Sequence, residues 1–218
     1  NNAGSIVLVG KGLAGMARFA EYASIMGRRL GDRIENWCLF NESKTFTQLG
    51  YWNGVFAPGR KDPFAFLRAT HTVNLAHGMG FRALKAANSR IKVGSVYDVS
   101  PHLPASDSPE DRVAADAMEK LSNFWFLVPP LTGSYPEGVL PAASQAALLG
   151  WQSGDEQTMR ADLDFVGLNY YSLPRVADSA KKLGIPGLDV TVDWAVAPDE
   201  NTDCGWYINP QGFYDSRK

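Results

Sequence analysis

The stretch Trp37-Cys38-Leu39-Phe40-Asn41-Glu42-Ser43 ends an apolar run on a carboxylate. A carboxyl group held at a fixed place can give and take protons as a general acid and base. Bulky Trp37, Leu39 and Phe40 suit a buried parallel strand. Glu42 would then stand at that strand's C-terminal end. In a β/α barrel this is the face where catalytic residues collect. The rival reading is a strand followed by an ordinary solvated loop, and the residue types alone leave it open.

Other chemistry-bearing patterns are weaker. Val7-Leu8-Val9-Gly10-Lys11-Gly12-Leu13-Ala14-Gly15 fits a Gly-x-Gly-x-x-Gly turn between strand and helix, the context of a dinucleotide fingerprint. That fingerprint needs an acidic residue at a strand end about 20 residues on. Asp32 and Glu35 have the spacing but precede the next strand, and Glu42 ends that strand but comes late. Glycine-rich turns of this kind also arise for steric reasons alone. His71 and His77 share a helix at a spacing that does not chelate, unlike i and i+4, and read as packing or surface residues. His102 lies in a proline-rich loop with no partner motif. No metal or cofactor is expected, and no Gly-x-Ser-x-Gly nucleophile elbow occurs.

The elements around these residues alternate. Ser5 to Val9 reads as a short strand, and Leu13 to Leu30 as a helix stopped by Gly31. Ile34 to Phe40 is the strand leading to Glu42. Asp62-Pro63 opens a helix running to Ala87, with Asp as N-cap, Pro at the first position and Asn88 as C-cap. Ile91 to Tyr97 is a strand, and 100–108 a loop rich in Pro and Ser. Ser108-Pro109 begins a helix to about Phe126, Pro129 to Pro141 is irregular, and Ala142 to Leu149 is a short helix. Asp164 to Tyr170 is a strand, and the chain from Ser172 onward shows little periodicity. Strands alternating with helices imply an α/β fold with a parallel sheet and crossover helices.

Composition places the chain among ordinary globular proteins. Its 218 residues are 45% hydrophobic and 20% charged, so a single domain over 1–218 is the default. The net charge of -2, with both signs dispersed, gives no footprint for nucleic acid or an anionic membrane. No apolar run approaches the roughly 20 residues that span a bilayer. Cys38 and Cys204 do not make a disulfide scaffold, Cys38 sitting in an apolar strand. Both read as reduced thiols of a cytoplasmic protein. The chain begins without Met and without a signal-peptide pattern, which suits a processed or partial chain.

Several segments in collinear order resemble glycoside hydrolase family 1, the retaining β-glucosidases and β-galactosidases. They are Gly31-Asp32-Arg33 before the strand, Asn41-Glu42 at its end, Gly50-Tyr51 and Ala57-Pro58-Gly59. Leu75-Ala76-His77-Gly78, Trp125-Phe126, Gly133-Ser134-Tyr135-Pro136, Asp164 to Ser172 and Gly205-Trp206 continue the match. It covers roughly residues 18 to 215. The resemblance implies a (β/α)8 TIM-barrel fold, of which this chain would hold only part. The part would run from the helix before strand four to just past strand six.

By the same resemblance the substrate is a small-molecule β-glycoside, hydrolysed by double displacement. Glu42 would be the acid/base and Asn41 the contact to the sugar 2-hydroxyl. Asn169 and Tyr171 would neighbour the nucleophile. A retaining glycosidase needs two carboxyls ~5–5.5 Å apart. The family's nucleophile lies in a Thr-Glu-Asn-Gly strand that this sequence lacks. Activity of the chain alone is therefore doubtful, which leaves a non-catalytic sugar-binding or structural module as the alternative. The partial barrel leads us to expect self-association or association with a complementary barrel fragment. Two departures stand out. Ser43 replaces the family's Pro, where it could hydrogen-bond locally, and Asp98 replaces an Asn, where a charge near Glu42 would raise a carboxyl pKa.

Overall fold

Helix α1 (Leu13–Leu30) buries Met16, Phe19 and Ala23, a spacing that puts all three on one face. The computed structural model describes residues 13–178, 184–186, 188, 190–193 and 200–215. The proposed first strand at 5–9 and the Gly10-Lys11-Gly12 part of the glycine turn lie outside them. Leu13, Ala14 and Gly15 form the first turn of α1.

Strand β1 (Asn36–Asn41) follows, then a short helix α2 (Ser43–Thr47) that runs into a π-helical turn, Gln48–Trp52. The long helix α3 (Pro63–Ala87) starts as the sequence predicts. The Asp62 carboxylate accepts from the backbone N–H groups of Phe64 and Ala65 at 3.0 and 3.1 Å, with Pro63 at the first position. Asn88 caps its other end. α3 lies close against α1: a Cβ on Gly27 would come within 2.9 Å of the Ala87 Cβ, and one on Gly80 within 2.6 Å of the Phe19 ring.

Strand β2 (Lys92–Asp98) and a two-residue strand β3 (Leu103–Pro104) come next. Helix α4 (Pro109–Glu119), capped by the Ser108 hydroxyl, continues through a π-helical turn, Lys120–Phe124, into α5 (Trp125–Thr132). This helix runs six residues beyond the predicted end at Phe126 and takes in Pro129 and Pro130. Pro129 has no N–H for the carbonyl of Trp125, four residues back. The Asn74 amide supplies the donor instead, at 3.1 Å. Sequence pattern could not show that rescue, because Asn74 comes from α3.

Helices α6 (Ala142–Leu149) and α7 (Asp155–Met159) lead to β4 (Phe165–Asn169). α7 docks on α3 where a Cβ at Gly78 would sit 2.0 Å from the Thr158 carbonyl. Arg82 also donates there, to the carbonyls of Thr158 and Arg160 at 2.7 and 3.0 Å.

β1, β2 and β4 form one parallel sheet in the order β1-β2-β4. A second sheet, which the sequence reading missed, joins β3, β5 (Arg175–Asp178) and β6 (Val190–Asp193). Its strands are two to four residues long, too short to show a period. A last helix, α8 (Pro210–Asp215), also falls in the stretch read as loop.

The apolar core lies between the first sheet and helices α1 and α3, with Phe40, Phe46, Phe66, Val73, Trp125 and Phe126 all buried. The reading of β1 as a buried strand is corrected: only Phe40 is buried, Trp37 and Leu39 are half-buried, and Cys38 is exposed, as is Cys204. A strand covered on one side by helices leaves alternate residues on its other face uncovered.

Candidate active site

Glu42 is placed by two irregularities. Cys38 pairs with Gly94 but Asn41 pairs with Val96, so β1 carries one extra residue between them. The bulge lets both Leu39 and Phe40 pack toward the helices: Leu39 approaches Gly80, and Phe40 stacks on Phe19 at 4.6 Å and meets His77 at 4.6 Å. Glu42 then adopts φ 54, ψ 58, a left-handed conformation rare outside glycine. Its backbone N–H still donates to Val96, 2.9 Å away, and its carbonyl begins α2. Strand turns to helix at this one residue.

The carboxylate meets two donors, both on Oε1. Asn169 Nδ2 donates at 2.7 Å and the Tyr171 hydroxyl at 2.6 Å. The same Asn169 nitrogen donates to Asn41 Oδ1 at 3.1 Å. The sheet register makes this meeting possible: Asp98 pairs with Asn169, and Glu42 reaches Val96. Residues about 130 positions apart in sequence thus share one strand-end level. The bond to Glu42, helped by burial, pushes the Tyr171 phenol up to about 12. All four side chains predicted for the site are brought together.

Glu42 and Tyr171 line a cavity of about 690 Å³, while Asn41 and Asn169 do not line it. Trp206 lines it too, its ring 5.4 Å from that of Tyr171. Gln48, Asn53 and Ser122 add polar groups. The cavity has the aromatic and hydrogen-bonding lining that a polyhydroxylated ligand requires.

Asp98 is the second carboxyl of the cavity. Lys44 Nζ lies 3.0 Å from its Oδ2, and the Thr45 hydroxyl donates to the same oxygen at 3.0 Å. Burial raises the Asp98 pKa above the usual carboxylate range, with Lys44 and Thr45 opposing and Glu42 adding a smaller push upward. The expected repulsion is thus present, but tempered by a neighbouring ammonium. Lys44 was not among the predicted residues. Its signal was a lysine two positions beyond the acid, on the helix that starts there.

The remaining candidates lie elsewhere or act structurally. His71, buried in α3, joins Asp155 at 2.9 Å and Tyr135 at 3.1 Å. His77 is fully buried with Nδ1 on the Val73 carbonyl at 3.0 Å. His102, for which the sequence shows no partner motif, meets the Glu119 carboxylate through both its backbone N–H and Nδ1. Ser43 is buried, and its hydroxyl has no hydrogen-bond partner, so the local bond envisaged for it does not form. Among the described residues no three His, Cys, Asp or Glu side chains gather as a metal site.

Known proteins share this arrangement of elements. The family model for glycosyl hydrolase family 1 matches residues 14–217. Beta-glucosidase A of Acetivibrio thermocellus is 31% identical over 199 residues, covering 90% of this chain and 44% of that protein. The AHE enzyme from Alicyclobacillus herbarius superposes with a TM-score of 0.83 at 29% identity, over 92% of this chain and 44% of that one. The virulence factor SghA from Agrobacterium tumefaciens gives 0.82 at 32% identity, over 93% and 44%, and has also been solved with its substrate analog salicin. The chain thus spans less than half the length of the relatives it matches. Sequence and fold agree over nearly all of the chain, which belongs to glycosyl hydrolase family 1 and carries part of a (β/α)8 barrel.

Proposed function

We propose that this chain supplies the acid/base side of a retaining β-glycosidase site acting on β-glucosides or β-galactosides. The observation that carries the reading is the two-donor grip on Glu42. Both donors end on Oε1, which holds the carboxyl in one orientation and makes Oε2 the oxygen that carries the mobile proton. Protonated, Glu42 would deliver that proton to the glycosidic oxygen of a leaving group in the cavity. Ionised, it would then activate the water that releases the sugar. Asn41, bonded to Asn169 beside Glu42 though not in the wall of the cavity, is the candidate contact to the 2-hydroxyl of a sugar that reaches past that wall. Tyr171 keeps its proton well above neutral pH and remains a donor to carboxylates.

The attacking carboxylate has no counterpart in the family's motif within this sequence. Full turnover would therefore require the rest of a barrel. The exposed free thiols of Cys38 and Cys204 suit the reducing cytoplasm expected for the chain. A sugar-binding module is the second reading, since the aromatic and polar lining of the cavity beside Glu42 would hold a sugar without turning it over.

Hydrolysis of an aryl β-glucoside by the chain, beside a Glu42→Gln variant, tests the assignment. Turnover that falls about 10²–10⁴-fold in the variant supports Glu42 as proton donor, with the larger loss on poorer leaving groups. Equal turnover in both discards it. No turnover in either, with the sugar still bound, favours the binding module.

A further inference from the structure

Helix α2 begins at Glu42 with few of the usual fastenings. The Glu42 side chain caps none of its N–H groups, because the carboxylate is turned to Asn169 and Tyr171. The first helical bond, from the Phe46 N–H to the Glu42 carbonyl, is long at 3.5 Å. Ser43 stands at the first helical position, where a proline ring would have fixed φ. The left-handed backbone of Glu42 works against the turn as well. A helix of five residues has too few internal bonds to hold its own start.

The hold comes from outside the helix, and it ends on one residue. Lys44 Nζ lies 3.0 Å from Asp98 Oδ2 and donates to the Asp98 backbone carbonyl at 3.0 Å. The Thr45 hydroxyl donates to Asp98 Oδ2 at 3.0 Å. The Lys44 and Asp98 side chains are 11% and 13% exposed, so water competes little for these bonds. Asp98 is the last residue of β2 and pairs in register with Asn169 at the end of β4. The next N–H, that of Val99, donates to the Asn169 carbonyl at 2.9 Å. The Asn169 amide then returns to the Glu42 carboxylate. The start of α2 and the amide that grips the acid are thus tied to the same strand end.

We propose that Lys44, Thr45 and Asp98 form an anchor that fixes the first turn of α2 and, through the backbone, the direction of the Glu42 side chain. They are positioning residues and not catalytic ones. A misplacement of about 1 Å at a reacting group can cost about 10²-fold in rate, so a loose first turn would be felt in the chemistry. That consequence rests on the reading of Glu42 as acid/base, while the geometry of the anchor does not.

The test is the side-chain amide of Asn169, followed by proton–nitrogen NMR in the full chain and identified by its absence in Asn169→Ala. Its bond to Glu42 Oε1 should draw one amide proton downfield and slow its exchange. Lys44→Met/Asp98→Leu removes the anchor without changing the net charge. In that variant the proton should move upfield and exchange about tenfold faster. An anchor that only stabilised the fold would lower the melting temperature and leave this signal in place, and that result overturns the proposal. Should the variant fail to fold, Lys44→Met/Asp98→Asn, which removes the lysine bonds alone, decides by the same signal. A signal that moves as stated while Glu42→Gln keeps full turnover would retain the anchor and discard the acid/base reading. A fixed signal with turnover lost in Glu42→Gln would do the reverse.

Discussion

Tyr171 shows how much one hydrogen bond can report. The phenol is about half exposed, yet its bond to the Glu42 carboxylate, with some burial, carries its pKa to about 12. The deprotonated phenolate would face a carboxylate at contact distance, so the proton is retained. Because the folded value is raised, the bond's contribution is complete below the unfolded value near 10 and fades as pH climbs toward 12. Neutralising the partner in Glu42→Gln should bring the Tyr171 midpoint back toward 10, as an ultraviolet titration of tyrosinate would read. A midpoint that stays near 12 would assign the shift to burial instead. Glu42 was legible from sequence as a strand-end acid. Asn169 and Tyr171 were legible only through the family pattern, because no local spacing links them to Glu42. Lys44, on α2, was missed because its partner, Asp98, lies at the end of β2, more than fifty residues on.

At the scale of elements, α3 is the helix against which the rest is arranged. It begins and ends where cap residues put it, and Gly78, Arg82 and His71 fasten it to α7 and its neighbours. Such boundaries were readable because Asp62, Pro63 and Asn88 act within a few residues of themselves. The second sheet and the proline-containing end of α5 were not, since their partners come from distant segments. His77 on α3 is packed between Phe40 and Tyr97, and burial lowers its pKa to about 4. The folded state therefore binds this proton later than the unfolded chain, whose value is near 6.5. Stability from His77 is full above pH 6.5 and is lost as pH falls toward 4. Denaturation at pH 7.5 and pH 4.5 should show a pH-dependent loss about 2–3 kcal/mol smaller in His77→Phe than in the parent. His71 and His102, also lowered by burial, remain in both proteins and cancel from the comparison. Equal losses would mean that His77 titrates normally.

At the scale of the whole molecule, the first sheet has three strands and is open among the described residues. Among the described residues β1 and β4 each pair on one side only. Unpaired strand edges are templates for further pairing, and β4 carries Val166 at 41% exposure. The chain on its own should associate reversibly, its mean mass rising with concentration in light scattering. A monodisperse monomer at high concentration would show that the edges are otherwise protected. The barrel units present were legible from sequence because the motifs follow the family order over roughly residues 18 to 215.

The left-handed backbone at Glu42 has a last consequence. A β-carbon there works against the backbone by roughly 1–2 kcal/mol, and glycine would relieve that while making the unfolded chain freer by about 0.5–1 kcal/mol. The relief is at least as large as that cost, so the backbone alone would not hold Glu42 against glycine. What opposes the exchange is the carboxyl itself, which Asn169 and Tyr171 both bind and which a glycine would leave as two donors without their acceptor.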